Sequence, residues 1–313
     1  WYIIFLRIAA GCARATARPD TRGDDMIYHI IVNSARTGEK KILAVKDVLE
    51  KAGKSVEVHH TLKRGHAGQI AAEITSRGEE CAIAVMGGDG TLHEVLNGIR
   101  NFDKCTLGLI PSGTGNDFAV SVKIPKNIKK AAAIIAAGNV RPIDYIELSN
   151  GLKSVNAVGM GIDVDVLKKA YSGGKPSKGK YLASLIYCLK HFESYNFTVE
   201  YLGKEEKHFG LIAALGNGTQ IGGGIKLFPD AKVDDGYMNL LMVDYVSKFR
   251  MIFAFIKLML GKINAIKEVT AVRVKEASFS TEKSCSIQAE GEIYENMKLE
   301  AHIVPRGLKF FMP

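Results

Sequence analysis

The chain has 313 residues, 47% of them hydrophobic, enough for two domains around a sizeable core, which argues against a disordered chain. Its net charge of +9, from 42 Lys+Arg against 33 Asp+Glu, favours an anionic partner such as a nucleotide or a membrane surface. No long Lys/Arg block points to nucleic acid, and five scattered cysteines (Cys12, Cys81, Cys105, Cys188, Cys285) without a C-x-x-C indicate neither a disulfide framework nor a zinc site and suit a reducing cytosol.

Residues 1–25 open with the short apolar run Trp1–Leu6 and turn Arg- and Ala-rich. The run is far shorter than the roughly 20 residues of a spanning helix and lacks the basic flank of a signal peptide. Met26 therefore reads as the start, with residues 1–25 a non-native or disordered extension. From residue 26 to 142 short apolar runs alternate with helical patterns. Strands are expected at Ile27–Val32, Ser55–His60, Cys81–Met86 and Leu107–Ile110, and helices at Glu39–Ala52, His66–Arg77, Leu92–Ile99 and Asn127–Ala137. That alternation implies an α/β domain with a parallel sheet covered on both faces.

After Arg141-Pro142 strand-like runs dominate: Tyr145–Leu148, Ser154–Val158, Phe197–Leu202, Leu211–Leu215, Met238–Val243, Val269–Val274 and Ser284–Gln288. Residues 143–298 thus read as a mostly antiparallel β domain, interrupted by helices near Lys178–Phe192 and Lys248–Lys262. The strand-rich segment 299–313 is expected to return to the first domain.

Two glycine-rich turns follow successive strands of the first domain: Gly87-Gly88-Asp89-Gly90-Thr91 and Ser112-Gly113-Thr114-Gly115-Asn116-Asp117. Glycines permit close approach of a ligand to the backbone, so the two turns suggest one crevice of N–H groups suited to phosphate. Thr91 and Glu94 also have the spacing of a helix capping box. Asp89 and Asp117 beside a phosphate site point to Mg²⁺, which would relieve the repulsion; alternatively Asp89 caps its own turn. Neither turn is a P-loop or a dinucleotide-binding G-x-G-x-x-G.

The run from Gly87 to Gly98, followed by Leu109-Ile110-Pro111-Ser112-Gly113-Thr114-Gly115-Asn116-Asp117-Phe118, resembles the diacylglycerol kinase catalytic-domain family, which includes bacterial soluble lipid kinases and sphingosine and ceramide kinases. The resemblance runs from about Met26 to the C-terminus. It implies an NAD-kinase/phosphofructokinase-like α/β domain and an ATP-dependent lipid kinase that acts most naturally on diacylglycerol to give phosphatidic acid. By the same resemblance, nucleotide contacts fall on Asn33 in the loop Asn33–Gly38, on Thr61, on Gly87, Gly88, Asp89, Gly90, Thr91, Leu92 and His93, and on Gly113, Thr114, Gly115 and Asn116. Ser34 stands where the family usually has Pro, which loosens the turn. Pro229–Tyr237 resembles a stretch that holds a structural Mg²⁺, which would place that ion on Asp235 and the carbonyls of Lys232 and Tyr237; an ordinary Asp-Gly turn is the plainer reading of the residues. Ala289-Glu290-Gly291-Glu292 resembles the family's Asp-Gly-Glu, giving Glu292 the role of catalytic base, with Glu290 keeping the charge of the usual Asp at longer reach.

The implied chemistry is Mg²⁺-assisted in-line phosphoryl transfer, with Asp89 and Asp117 organising the metal or its waters and Glu292 taking the proton of a lipid hydroxyl. A lipid substrate requires peripheral access to a membrane from the cytoplasm. The apolar, Lys- and Arg-punctuated stretch Lys248–Lys262 has the texture of an interfacial helix, or of one packed in the core, and Lys175, Lys178 and Lys180 could add attraction to anionic lipid. A homodimer stays open. NAD kinase shares the Gly-Gly-Asp-Gly-Thr turn, but Gly113–Asp117 stands where that family carries Asn-Glu. An inactive lipid- or nucleotide-binding module is kept open by Ser34 and Glu290, and opposed by Asp89, Asp117 and Glu292.

Overall fold

The computed structural model describes residues 26–34, 37–172, 178–192, 194–281 and 286–313. Residues 1–25, Ala35, Arg36, Lys175 and Cys285 of the expectations above lie outside them. The first half runs β1 (Ile27–Val32), α1 (Glu39–Lys51), β2 (Ser55–His60), α2 (His66–Ser76), β3 (Cys81–Gly87), α3 (Asp89–Gly98), β4 (Cys105–Pro111), α4 (Asp117–Ser121) and α5 (Ile128–Ala137). The strands are parallel in the order β2-β1-β3-β4. Tyr28 to Val32 and Cys81 to Gly87 are buried without interruption, so both sheet faces are covered. The helix pairs α1–α5 and α2–α3 supply the cover.

The second half continues with β5 (Val140–Leu148), β6 (Lys153–Ser154), β7 (Ala157–Gly161), α6 (Ile162–Tyr171), α7 (Lys178–Lys190), β8 (Tyr195–Tyr201), β9 (Lys204–Gly216), β10 (Met238–Asp244), α8 (Lys248–Met259), β11 (Val269–Val274), β12 (Glu276–Thr281), β13 (Ile287–Ala289), β14 (Glu292–Tyr294) and β15 (Leu299–Phe311). Its strand pairs are antiparallel. β15 joins the halves: it is antiparallel to β5 and β12 but parallel to β4 through Lys309↔Thr106 and Phe310↔Leu107. Its register shifts between Val304 and Leu308. Leu299, Ala301 and Ile303 before the shift lie in the core of the second half, and Leu308, Phe310 and Phe311 after it in the core of the first.

Three expectations change. The strand expected at Ser154–Val158 is divided, because Asn156 turns out of the ladder: its carbonyl accepts from Asn217 N and Gly218 N, each at 2.8 Å. A helix not foreseen, α6, follows Gly161, whose φ of 107° breaks the strand. Its charge order, Asp163 and Asp165 first and Lys168 and Lys169 last, suits the helix dipole and was a usable signal. The capping box at Thr91–Glu94 does not form: α3 begins at Asp89, Thr91 Oγ1 accepts from Asn33 Nδ2 (3.1 Å), and Glu94 Oε2 accepts from Ala67 N (3.3 Å).

The α2–α3 contact rests on glycine. A Cβ at Gly68 would meet Glu94 O at 2.8 Å, and one at Gly98 would collide with the Gly68 carbonyl. Gly98→Ala should force the helices apart and cost about 1–3 kcal/mol. In urea unfolding the midpoint should fall at constant slope; an unchanged midpoint would refute the tight contact.

Candidate functional site

Strands β3 and β4 end level, with Gly87 opposite Pro111 and Ser112 N donating to Gly87 O at 2.8 Å. Both chains then turn at one place. A Cβ on Gly88 would lie 3.0 Å from Gly113 Cα, and one on Gly113 would clash with Gly88 Cα, so neither position accepts a side chain. Asn116, at φ 56°, closes the second turn: its Oδ1 accepts from Gly113 N (3.0 Å) and its Nδ2 donates to Gly113 O (2.8 Å). No side chain caps α3, and its first turn, Asp89 to Thr91, lines a cleft of about 930 Å³. Helix N-terminal amides there favour an anion.

The acidic groups converge on the glycines. A Cβ at Gly115 would sit 2.8 Å from Asp89 Oδ2 and 3.4 Å from Asp117 Oδ2, so both carboxylates border one glycine. Asp89 Oδ1 also accepts from Phe118 N (3.2 Å). Asp117 is buried and reaches the second half, accepting from Gln220 Nε2 and from Gly223 N, each at 2.7 Å. Glu292, the first residue of β14, arrives from the opposite wall: its Oε1 lies 3.6 Å from where a Gly90 Cβ would stand. Burial raises its pKa, and the partner Arg64 guanidinium draws it partway back.

The cleft is lined by Asn33, Thr61, Gly88, Asp89, Gly90, Thr91, Thr114, Gly115, Asp117 and Glu292 among the expected residues. Gly87, Leu92, His93, Gly113 and Asn116 are not among its lining residues. Gly87, Gly113 and Asn116 form the frame behind the turns. Leu92 belongs to the core, and His93, on the same helix face, is buried with Nε2 2.7 Å from Tyr294 Oη. Asn97 Nδ2 donates to His93 Nδ1 (3.3 Å), and burial lowers the ring's pKa to about 4, so it is neutral.

The expected structural Mg²⁺ set of Asp235 with the carbonyls of Lys232 and Tyr237 lies outside the cleft, and there the carboxylate has a cation of the chain beside it. Asp235 Oδ2 accepts from Arg273 Nη2 (2.7 Å) and Oδ1 from Tyr237 N (3.1 Å), while the Arg273 guanidinium stands 4.3 Å from the centre of the Tyr237 ring. A cation of the chain itself already neutralises the carboxylate.

Glu290 also departs from expectation. It is held at φ 53°, and its Oε1 accepts from Ser154 Oγ (2.5 Å) and Asn156 N (2.7 Å). Burial raises its pKa to about 8, so the negative charge of the usual Asp is not kept at neutral pH. Ser34 Oγ pairs with His60 Nδ1 at 3.2 Å. Sequence reading missed Arg64, Tyr181 and Asp163. Arg64 lies in the loop that the resemblance gave to nucleotide contact through Thr61, but nothing in that loop singled it out. Tyr181 and Ile221 line both the cleft and an apolar cavity of about 100 Å³ that also contains Val166, Leu185 and Phe255. Asp163 is buried at the edge of that cavity, where desolvation lifts its pKa to about 7.

Comparisons with known proteins agree with this arrangement. Residues 28–148 match the model of the diacylglycerol kinase catalytic domain, and residues 156–312 that of the YegS C-terminal NAD kinase beta sandwich-like domain. The diacylglycerol kinase of Bacillus subtilis is 35% identical over 66% of this chain and 68% of its own. A protein of Cronobacter sakazakii named "Probable lipid kinase YegS-like" is 29% identical over 67% of this chain and 72% of its own. The crystal structure of a diacylglycerol kinase from Bacillus anthracis superposes with a TM-score of 0.77 at 24% identity, covering 92% of this chain and 97% of that one. An NAD kinase from Archaeoglobus fulgidus, solved with ATP, shares the fold at a TM-score of 0.51 and 13% identity, covering 91% and 93%.

The raised pKa of Glu290 makes a stability prediction. The fold binds its proton more tightly than the unfolded chain does, so its contribution is complete below about pH 4.5 and is lost as pH rises through about 8. Glu290→Gln carries no such proton. Its melting temperature, followed by circular dichroism, should decline less than the parent's across that window; parallel curves would contradict the assignment.

Proposed function

Because the chain belongs to the diacylglycerol kinase catalytic-domain family, we propose that it transfers the γ-phosphoryl group of ATP to a lipid hydroxyl, with diacylglycerol the acceptor and phosphatidic acid the product. The observation that carries this reading is the meeting of Glu292 with the two glycine turns: a carboxylate from the second half stands beside Gly90, opposite the Asp89–Gly115–Asp117 edge. The turns offer amides to the phosphates. The acceptor oxygen forms a bond to phosphorus as the bond to the β-phosphate oxygen breaks, and its proton passes to Glu292. Bound Mg²⁺ would neutralise phosphate charge, and Asp89 and Asp117 are the carboxylates placed to hold it or its waters. The Arg64 guanidinium favours the ionised form of Glu292, opposing the rise that burial causes.

Access to the lipid is assigned to α8. Met251, Ala254, Phe255 and Leu258 pack into the core, while Phe249, Ile252, Phe253, Ile256, Met259 and Leu260 are exposed on the other side. The helix thus combines the core-packed and interfacial readings. No helix among the described residues is long and apolar enough to cross a membrane. An exposed apolar face of this kind is suited to lying in the interface of a bilayer.

Glu292→Gln should lower diacylglycerol phosphorylation by about 10²–10⁴-fold with ATP binding retained, measured by label transfer in mixed micelles and by nucleotide titration; full activity would reject Glu292 as the base. In Arg64→Ala the pKa of Glu292 rises further, so the acid limb of the kcat/KM profile should move to higher pH; a limb that stays in place would show that Arg64 does not tune it. Phe253→Asp should weaken sedimentation with vesicles while leaving turnover of a short-chain, water-soluble diacylglycerol intact; undiminished vesicle binding would remove α8 from the interface.

A further inference from the structure

His29, Glu57 and His59 lie away from the cleft residues and have no part in the reaction above. Their meeting follows from strand register. In the parallel β1–β2 pair His29 stands opposite Glu57, and His59 is two residues further along β2, on the same face of the sheet. β2 is an edge strand. Three potential ligand atoms converge there: His29 Nδ1 is 3.0 Å from His59 Nε2 and 3.4 Å from Glu57 Oε2, and His59 Nε2 is 3.7 Å from the same oxygen.

The first is a hydrogen bond and the other two are ion-pair contacts, and all three separations also suit a shared metal ion. A tetrahedral ion with bonds of about 2.0–2.1 Å holds its ligand atoms about 3.3 Å apart. The three distances bracket that value, so the atoms describe one face of such a tetrahedron. Two imidazole nitrogens and one carboxylate oxygen select a zinc-class ion over Mg²⁺ or Ca²⁺, which prefer all-oxygen sets. His29 is buried and both rings are held below the ordinary imidazole pKa by burial, so each offers the neutral, ligating form. A neighbouring hollow of about 410 Å³ is bordered by His29, Arg77, Glu79 and Glu80. The charges around the cluster are of both signs: Arg77 acts on both rings, and Glu73 acts on His59.

We propose that His29, Glu57 and His59 form a binding site for a divalent transition-metal ion of the zinc class. Its mechanical consequence follows from chain order. An ion would clip edge strand β2 to β1 immediately before the segment that carries Thr61 and Arg64. Thr61 N already donates to Val32 O (3.0 Å), and Arg64 pairs with Glu292. The site is therefore a structural clip that steadies one wall of the cleft, with no role in the phosphoryl transfer itself.

The test uses the full, untagged chain after chelator treatment, titrated with Zn²⁺ by calorimetry and with Co²⁺ by visible absorption. The parent should bind zinc, show the ligand-field bands of tetrahedral Co²⁺, and melt at higher temperature with Zn²⁺ than without it. His59→Gln and, separately, Glu57→Gln should each weaken binding at least about tenfold, the loss that even an outer partner of a metal ligand brings, and each should lose the Co²⁺ bands. Both side chains are partly exposed, so the variants are suited to folding, which circular dichroism checks. Absence of binding in the parent, octahedral Co²⁺ bands, or equal affinity in parent and both variants would each overturn the proposal. Binding that Mg²⁺ at equal concentration displaces would overturn its metal class.

Discussion

The arrangement depends on one backbone contact, the approach of Gly88 to Gly113 at the ends of two neighbouring parallel strands. A methyl group at either position would push the turns apart. Because nothing stands between them, the first turn of α3 and the loop around Gly115 form one continuous rim, with two carboxylates bordering it. Glycine here is a steric requirement of the fold, and the crevice suited to phosphate is its by-product.

A rim alone performs no transfer; the opposing wall has to be held at a fixed distance. Three links do this. β15 contributes to both cores on either side of its register shift, so the halves share one strand. Asp117 spans the cleft floor to Gln220 and Gly223. Glu290 ties the β13–β14 turn to Ser154 and Asn156, two residues before Glu292. The last link explains how a Glu can stand where Asp is usual: the longer side chain, in a left-handed backbone conformation, reaches the β6–β7 turn as a buried hydrogen-bond acceptor, and its raised pKa follows from that burial.

Much of the fold and the rim was legible in the sequence because strand and helix periods are local properties and glycine turns leave a compositional mark. The parallel sheet of the first half, the mostly antiparallel second half and the glycine turns with Asp89 and Gly115 descend from such signals, whereas Glu292 was marked only by the family resemblance. What escaped depends on contacts distant in sequence. Arg64 matters because it meets Glu292 across the cleft, and Asp235 pairs with Arg273, which arrives from β11. His93 sits inside the motif yet is buried one turn further along α3 than Asp89, where Tyr294 of β14 meets it, so it lies below the rim that the helix's first turn forms. Likewise α8 is apolar enough for two faces, and only the packed structure divides them between core and solvent.

The account stands on the identity of the phosphoryl acceptor. The most direct measurement offers the protein ATP labelled at the γ-phosphate, with Mg²⁺, diacylglycerol in mixed micelles and NAD in the same tube, and separates the products. Label in phosphatidic acid, with NAD unmodified, is the predicted result. Label in NADP, or release of inorganic phosphate with no labelled lipid, would contradict it.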